Sequence, residues 1–304
     1  MAPDSRQLCQ KLENDCDLRF QSKWAGPVDF RAKNDERLQP PDESGTWACR
    51  FKNTALVALL PVAVLVTWWL LGHRGILNPY LTPSPGEVLD AALNAFASGE
   101  LWLHSCVSLA RVFVGFTLTV FLALPLAALL YSVPVSERVL RVPLELLRII
   151  PPLALIPLLI LWLGIGESSK LAVIVLASFF PIFLNALDGL KNSDRKLLEM
   201  AETIDLTHWD TFRTVLLPSA LPAIITGLRI GFGYSWRALI GAELIAAASG
   251  LGYMILDAEE LARTDRMFVG ILIIGILGYL FDVILSRLAV WIGDRLHLTK
   301  EPWT

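Results

Sequence analysis

EMAETIDLTHWDTFRTVLLP, residues 199–218, is a polar, charged stretch set between two long apolar segments. Glu199, Glu202, Asp205, Asp210 and Arg213 all fall within it. A short turn is enough to join neighbouring membrane spans, so a loop running from Asn192 to Pro218 calls for a reason. Its first half, to Ile204, places Leu197, Ala201 and Ile204 on one helical stripe. Its second half opens with Thr207 and Asp210 in the [ST]-x-x-[DE] spacing of a capping box. Trp209, Phe212 and Leu216 then form another stripe, and Pro218 begins the next apolar segment. The spacing predicts a helix–turn–helix with apolar and charged faces, lying at a membrane surface. Three uses fit that pattern: a plain connector, an interfacial anchor, or a docking knob for a partner. The anchor use favours a Lys/Arg-rich polar face, whereas this one is mainly acidic.

The rest of the chain supplies the membrane. Of 304 residues, 54% are hydrophobic and only 18% charged, and mean hydropathy is +0.54. Those values lie on the membrane side of an ordinary globular domain. Six segments, 54–72, 105–131, 149–166, 169–188, 219–247 and 267–292, are apolar enough to cross a bilayer as helices. Pro151, Pro152 and Pro157 crowd the entry to the third. The net charge of −3 gives no basic surface for a nucleic-acid partner. Cys9, Cys16, Cys49 and Cys106 lack the spacing of a zinc site or a disulfide framework. Residues 1–50 mix charges without an apolar run, so they are no secretory signal. The expected organisation is a partly disordered extension over 1–53, a six-span domain over 54–292 and a tail over 293–304.

Orientation follows from the basic residues in the flanks. With the N-terminus cytoplasmic, the inside segments carry most of the 26 Lys and Arg. The outside segments then hold only Arg74, Lys170, Arg263 and Arg266, and Arg111, Arg229 and Arg237 lie within spans. Both termini are expected inside, which puts residues 192–218 on the cytoplasmic face.

The run E-M-A-E-T-I-D followed by L-P resembles the EAA loop of permease subunits of bacterial binding-protein-dependent ABC importers. The family pattern is Glu-Ala-Ala, three residues, Gly, then a helix ending in Leu-Pro. Glu199, Ala201, Leu217 and Pro218 fall in register, while Met200 replaces the middle alanine and Asp205 the glycine. LTPSPGEVL (81–89), ASGELWLHSCVSLARVFVGF (97–116), LELLRIIPPLALIPLLILWLGIGESSK (144–170) and GAELIAAASGLGYMILDAEELARTD (241–265) resemble the subgroup importing aliphatic sulfonates, taurine and nitrate. The resemblance runs from about residue 55 to residue 292. It implies an all-α membrane protein of the type I importer permease kind, paired with a second permease subunit. It also implies two ABC ATPase subunits that bind ATP and Mg, and an extracytoplasmic substrate-binding protein. The loop would then be the handle by which the ATPase moves the spans. Asp205, standing for a glycine at a helix end, is either tolerated variation or a contact to a basic group on the ATPase.

Ionisable residues within spans are costly and usually paired or functional. Arg229 and Asp282 match in depth and are expected to pair. Arg237, in a stretch where the family carries small or apolar residues, lies with Arg111 and Glu243 in the outer half of the membrane. The three form either a structural charge cluster or part of a pathway for an anion, since a guanidinium fork suits a tetrahedral oxyanion. Gly227-x-x-x-Gly231 is a small-x-x-x-small pair suited to close helix packing. No G-x-x-x-x-G-K-[ST] or HExxH occurs, and the glycine that would complete a nucleophile elbow at 233–237 is absent. No catalytic residue, metal site or cofactor of this chain's own is expected. A secondary carrier working alone is the competing class, but such carriers usually contain internal repeats, and none is evident. The reading is an inner-membrane permease moving a small anion, an aliphatic sulfonate or taurine before nitrate or bicarbonate.

Overall fold

The computed structural model describes residues 46–74, 78 and 81–295. The expectations for residues 1–45 and 296–304 lie outside these. Every regular element among the described residues is helical, as a bilayer requires of a chain whose apolar runs must satisfy their own backbone groups.

The chain divides into two units, Met1–Val64 and Leu65–Thr304. Helix α1 (Thr46–His73) begins in the first, where its Leu59, Leu60, Val62 and Val64 are exposed. Its first eight residues, 46–53, fall within the expected extension. Within the second unit, Trp68 stacks on Phe268 at 5.7 Å and donates its indole N–H to the Pro83 carbonyl at 3.1 Å. Helix α2 (Pro85–Ala97) opens with a complete capping box between Ser84 and Glu87, with Pro85 in the first turn. Gly99, at φ +77°, makes the tight turn into α3 (Glu100–Ser132).

After α3 comes the amphipathic α4 (Pro134–Ile149), a single 3₁₀ turn at Pro152–Leu155, and the short α5 (Ile156–Leu163). The two halves of this segment meet at 87°. Pro151 and Pro152 cause the break: they donate no backbone N–H and hold Ile150 and Pro151 extended, at ψ 121° and 125°. Helix α6 (Glu167–Lys191) follows, then α7 (Arg195–Thr203), α8 (His208–Thr211), a π turn at Phe212–Leu216 and α9 (Leu217–Ala246). The described chain ends with α10 (Leu251–Glu260) and α11 (Thr264–Arg295). Four stretches, containing α3, α6, α9 and α11, are long and apolar enough to cross a membrane, and α4–α5 counts as a fifth if its bent halves form one span. Leu59–Gly72 is a shorter apolar helix. The six expected segments therefore resolve into four full spans, one broken span and one shorter apolar helix.

Helices α6 and α9 form the centre of the second unit. Gly189 of α6 and Gly227 and Gly231 of α9 let their backbones approach. A Cβ at Gly231 would stand 2.6 Å from Ile182 Cγ1, one at Gly227 2.7 Å from Asn185 Cβ, and one at Gly189 2.7 Å from Ala223 Cβ. Helix α3 packs on α6 through Gly115, where a Cβ would meet Ile174 at 2.7 Å.

Candidate functional site

The 192–218 loop folds into two short helices braced against the bundle. Asp194 caps α7 by accepting the Lys196 N–H at 2.9 Å. At its other end the Leu206 N–H bonds the Ala201 carbonyl and the Asp205 N–H the Glu202 carbonyl, both at 3.1 Å. This is a Schellman motif with Asp205 in the left-handed position, at φ +51°. Thr207 caps α8: its hydroxyl accepts the Asp210 N–H at 3.2 Å and donates to the Asp210 carboxylate at 2.6 Å. From His208 the chain is helical without interruption through the π turn to Ala246.

The expected stripe of Leu197, Ala201 and Ile204 is divided between two faces. Ala201 is buried, as is Leu216, and Leu198 and Phe212 pack beside Phe183 and Leu190 of α6. Leu197, Met200 and Ile204 form an outward face, continued by Trp209, which stacks on Phe212 at 5.9 Å. Ile204 and Trp209 are each 68% exposed. Glu199 lies on the open side paired with Arg195, and Glu202 and Asp205 are exposed. Leu217 is half-buried and Pro218 stands in the first turn of α9. The loop thus presents an apolar face edged by carboxylates, on a base that cannot bend freely.

A second polar centre lies elsewhere in the bundle. Arg111 of α3 donates through Nη1 to Glu243 Oε1 of α9 at 2.8 Å and to the Ser249 carbonyl at 2.5 Å. Its Nε and Nη2 grip both carboxylate oxygens of Glu167 at 2.6 Å, and Nη2 also reaches Ser249 Oγ at 3.1 Å. Lys170 Nζ donates to Glu167 at 3.1 Å. Glu243 is fully buried and accepts from Ser108 Oγ at 2.9 Å and the Gly252 N–H at 3.0 Å. Ser108 in turn accepts the Leu251 N–H, and His104 Nδ1 accepts the Gly250 N–H. Two cations face two carboxylates, so the cluster is neutral, and its buried oxygens are hydrogen-bonded. Those are the conditions under which charge is tolerated inside a membrane. Gly250, at φ +121°, and Gly252 leave room for Glu243: a Cβ on either would strike its side chain.

Arg237 does not join this cluster, which corrects the expected grouping with Arg111 and Glu243. It lies six residues from Glu243 on α9, roughly 120° around the helix at 3.6 residues per turn. Arg237 is exposed, bonds its own helix at the Gly233 carbonyl and stands 5.0 Å over the Tyr234 ring. Arg229 and Asp282 do pair, through two bonds of 3.0 Å. Gly227 and Gly231 pack against α6 of the same chain. The sequence reading missed Glu167, Ser108 and His104, which join the cluster only through contacts between helices far apart in sequence.

A helical permease-like bundle with a braced loop between two central spans defines a class, and comparison with known proteins agrees. The chain belongs to the family described as binding-protein-dependent transport system inner membrane component, matched over residues 115–297. It is a multi-pass inner-membrane permease subunit of an ABC transporter. It is 40% identical to the putative aliphatic sulfonates transport permease protein SsuC of Escherichia coli (strain K12), over 79% of this chain and 93% of that one. It is 35% identical to the taurine transport system permease protein TauC of the same organism, over 82% and 94%. Among solved structures, the MetNI methionine ABC transporter in an inward-facing conformation matches with a TM-score of 0.56 at 21% identity, over 63% of this chain and 97% of that one. An amino acid ABC transporter matches with a TM-score of 0.55 at 19% identity, over 67% and 96%. These two likenesses establish the type I importer permease fold.

Proposed function

We propose that this subunit imports an aliphatic sulfonate or taurine by alternating access, paired with a second permease subunit, most simply a copy of itself. Two ABC ATPase subunits bind ATP and Mg²⁺ and perform the hydrolysis, and an extracytoplasmic binding protein delivers the cargo. The carrying observation is the 40% and 35% identity to SsuC and TauC over about four-fifths of the chain. Both termini and the 192–218 loop face the cytoplasm, in keeping with the distribution of Lys and Arg.

The loop is the handle for the ATPase. Leu197, Met200, Ile204 and Trp209 supply the apolar contact, and Glu199, Glu202 and Asp205 fix its register. Ala201 seats α7 on the bundle, and Leu217 and Pro218 start the span that is moved. A docked helix continuous with α9 transmits rigid-body motion, which a flexible linker would dissipate. Arg237 attracts the anion toward the pathway.

Growth of a deletion strain on single sulfur sources tests the cargo. The expected result is loss of growth on taurine or alkanesulfonates with sulfate growth intact, restored by the intact gene. Normal growth on all organosulfonates, or a defect confined to nitrate as nitrogen source, overturns the cargo assignment.

A further inference from the structure

The described part of the bundle contains a cavity of about 380 Å³ between the broken span and the α6–α9 pair. Its polar lining is Arg148, Asn185 and Tyr234, and the remaining wall is apolar, including Leu155, Leu176 and Phe180. We propose that this cavity is a cargo site in which Arg148 holds the sulfonate head, and that it favours alkanesulfonates over zwitterionic aminosulfonates such as taurine. The proposal rests on the organosulfonate reading above and narrows it.

Among the described residues Arg148, itself exposed, is the only charged one lining the cavity, and no carboxylate does. The nearby acids of α4 are already engaged, Glu145 with Arg141 and Glu137 with Lys191. Arg148 itself forms no ion pair among the described residues. It stands in the last turn of α4, immediately before the Ile150–Pro151 break, so the kink that interrupts the span is what brings its guanidinium to the cavity wall. Arg237 stands 5.0 Å over the ring of the lining Tyr234 and does not itself line the cavity. The amide N–H of Asn185 already bonds the Pro181 carbonyl at 2.7 Å.

An alkanesulfonate matches this lining at both ends. Its three oxygens suit a guanidinium fork, and its chain suits the apolar wall, in a volume within the range of small-molecule sites. Taurine adds an ammonium group to the same head. In this half-open cavity that group meets the guanidinium charge of the exposed Arg148 and no carboxylate among the described residues, which is unfavourable. Arg148 also lines an adjoining cavity of about 330 Å³ that shares Phe180 and Leu184 and includes Glu137 and Glu145. Arg148 therefore stands between a compartment lined by cation alone and one of mixed charge, where an anion is held less firmly.

The test is uptake of labelled ethanesulfonate and taurine by the full complex in proteoliposomes, with permease, ATPase and binding protein, alongside its ATP hydrolysis. Arg148→Gln is expected to lower ethanesulfonate uptake about tenfold or more, the scale of losing one charge-assisted hydrogen bond, while ATP hydrolysis persists. Arg148→Lys should recover part of it. Arg138→Gln, an exposed α4 arginine lining neither cavity, should behave as wild type. Asn185→Asp gives the cavity a carboxylate but loses the amide's bond to the Pro181 carbonyl, a loss that Asn185→Leu reproduces without the charge and so controls for. Asn185→Asp should raise the taurine-to-ethanesulfonate uptake ratio about tenfold. Wild-type uptake with an unaffected Arg148→Gln variant, or an unchanged ratio in Asn185→Asp, overturns the proposal alone. A wild-type complex that moves neither sulfonate overturns the cargo reading and this proposal with it.

Discussion

Asp205 holds a backbone conformation of φ +51° that costs an L-residue roughly 1–2 kcal/mol, and the loop pattern it resembles carries glycine there. Aspartate tolerates the position better than most residues, and glycine would lose more entropy on folding. Asp205→Gly should therefore change permease stability by no more than about 1 kcal/mol. If the exposed carboxylate meets a basic group on the ATPase, the same substitution should weaken subunit association about two- to fivefold, the scale of an exposed ion pair. Titration of detergent-purified permease with the ATPase reads this directly, and unchanged association would make Asp205 conformational variation only. The sequence marked Asp205 because a register with known loops put it where glycine belongs. It could not mark Ala262, which adopts φ +52° in a second Schellman motif after α10. There nothing in the residue type signals the left-handed turn.

Helix packing decides the next scale. Gly231 faces Ile182, which is fully buried and has no room to yield. Gly231→Leu should destabilise the permease by about 1–3 kcal/mol or more through overpacking, seen as a lower thermal midpoint in detergent and reduced membrane yield. Gly275 of α11 has nothing within 4 Å of its would-be Cβ, so Gly275→Ala should leave both unchanged or slightly improved. The four-residue spacing of Gly227 and Gly231 was readable as a packing motif, but its partner was not. A small residue says that something comes close, and only the fold says that α6 does. The broken span was half-legible: Pro151 and Pro152 predicted trouble at the entry, whereas the 87° turn depends on how both halves pack.

For the whole molecule, the ion cluster around the buried Arg111 and Glu243, with Glu167 at its exposed edge, ties α3, α6, α9 and the start of α10 into one assembly. Glu243→Ala would leave the Ser108 hydroxyl proton and the Gly252 N–H without an acceptor in a fully buried site, and would remove the counter-charge from Arg111 Nη1, which keeps only the Ser249 carbonyl. Breaking one side of a buried pair typically costs about 3–5 kcal/mol. The expected outcome is a large fall in thermal midpoint with α10 released first, checked by hydrogen exchange over residues 247–260. A variant as stable as wild type would mean that the remaining Arg111–Glu167 pair suffices. The cluster and the 192–218 loop stand at opposite ends of α9, so under the proposed coupling a movement of Leu217 would reach Glu243 along a single helix.

By itself the sequence determined that this chain is helical, membrane-embedded and built around a braced loop. Bilayer crossing demands long apolar runs, and capping demands particular residues at particular offsets, so both requirements are written locally. It also carried the register of Glu199, Ala201, Leu217 and Pro218 that placed the chain in its family. Tertiary structure alone decided that Arg111 pairs with Glu167 and Glu243 while Arg237 stands apart, and that Ala201 turns inward while Ile204 turns out. It also brought Arg148 to a cavity that no carboxylate lines among the described residues. These outcomes depend on which helix faces meet across gaps of tens of residues, and charge pairing in a low-dielectric interior follows distance in space, which residue order does not encode.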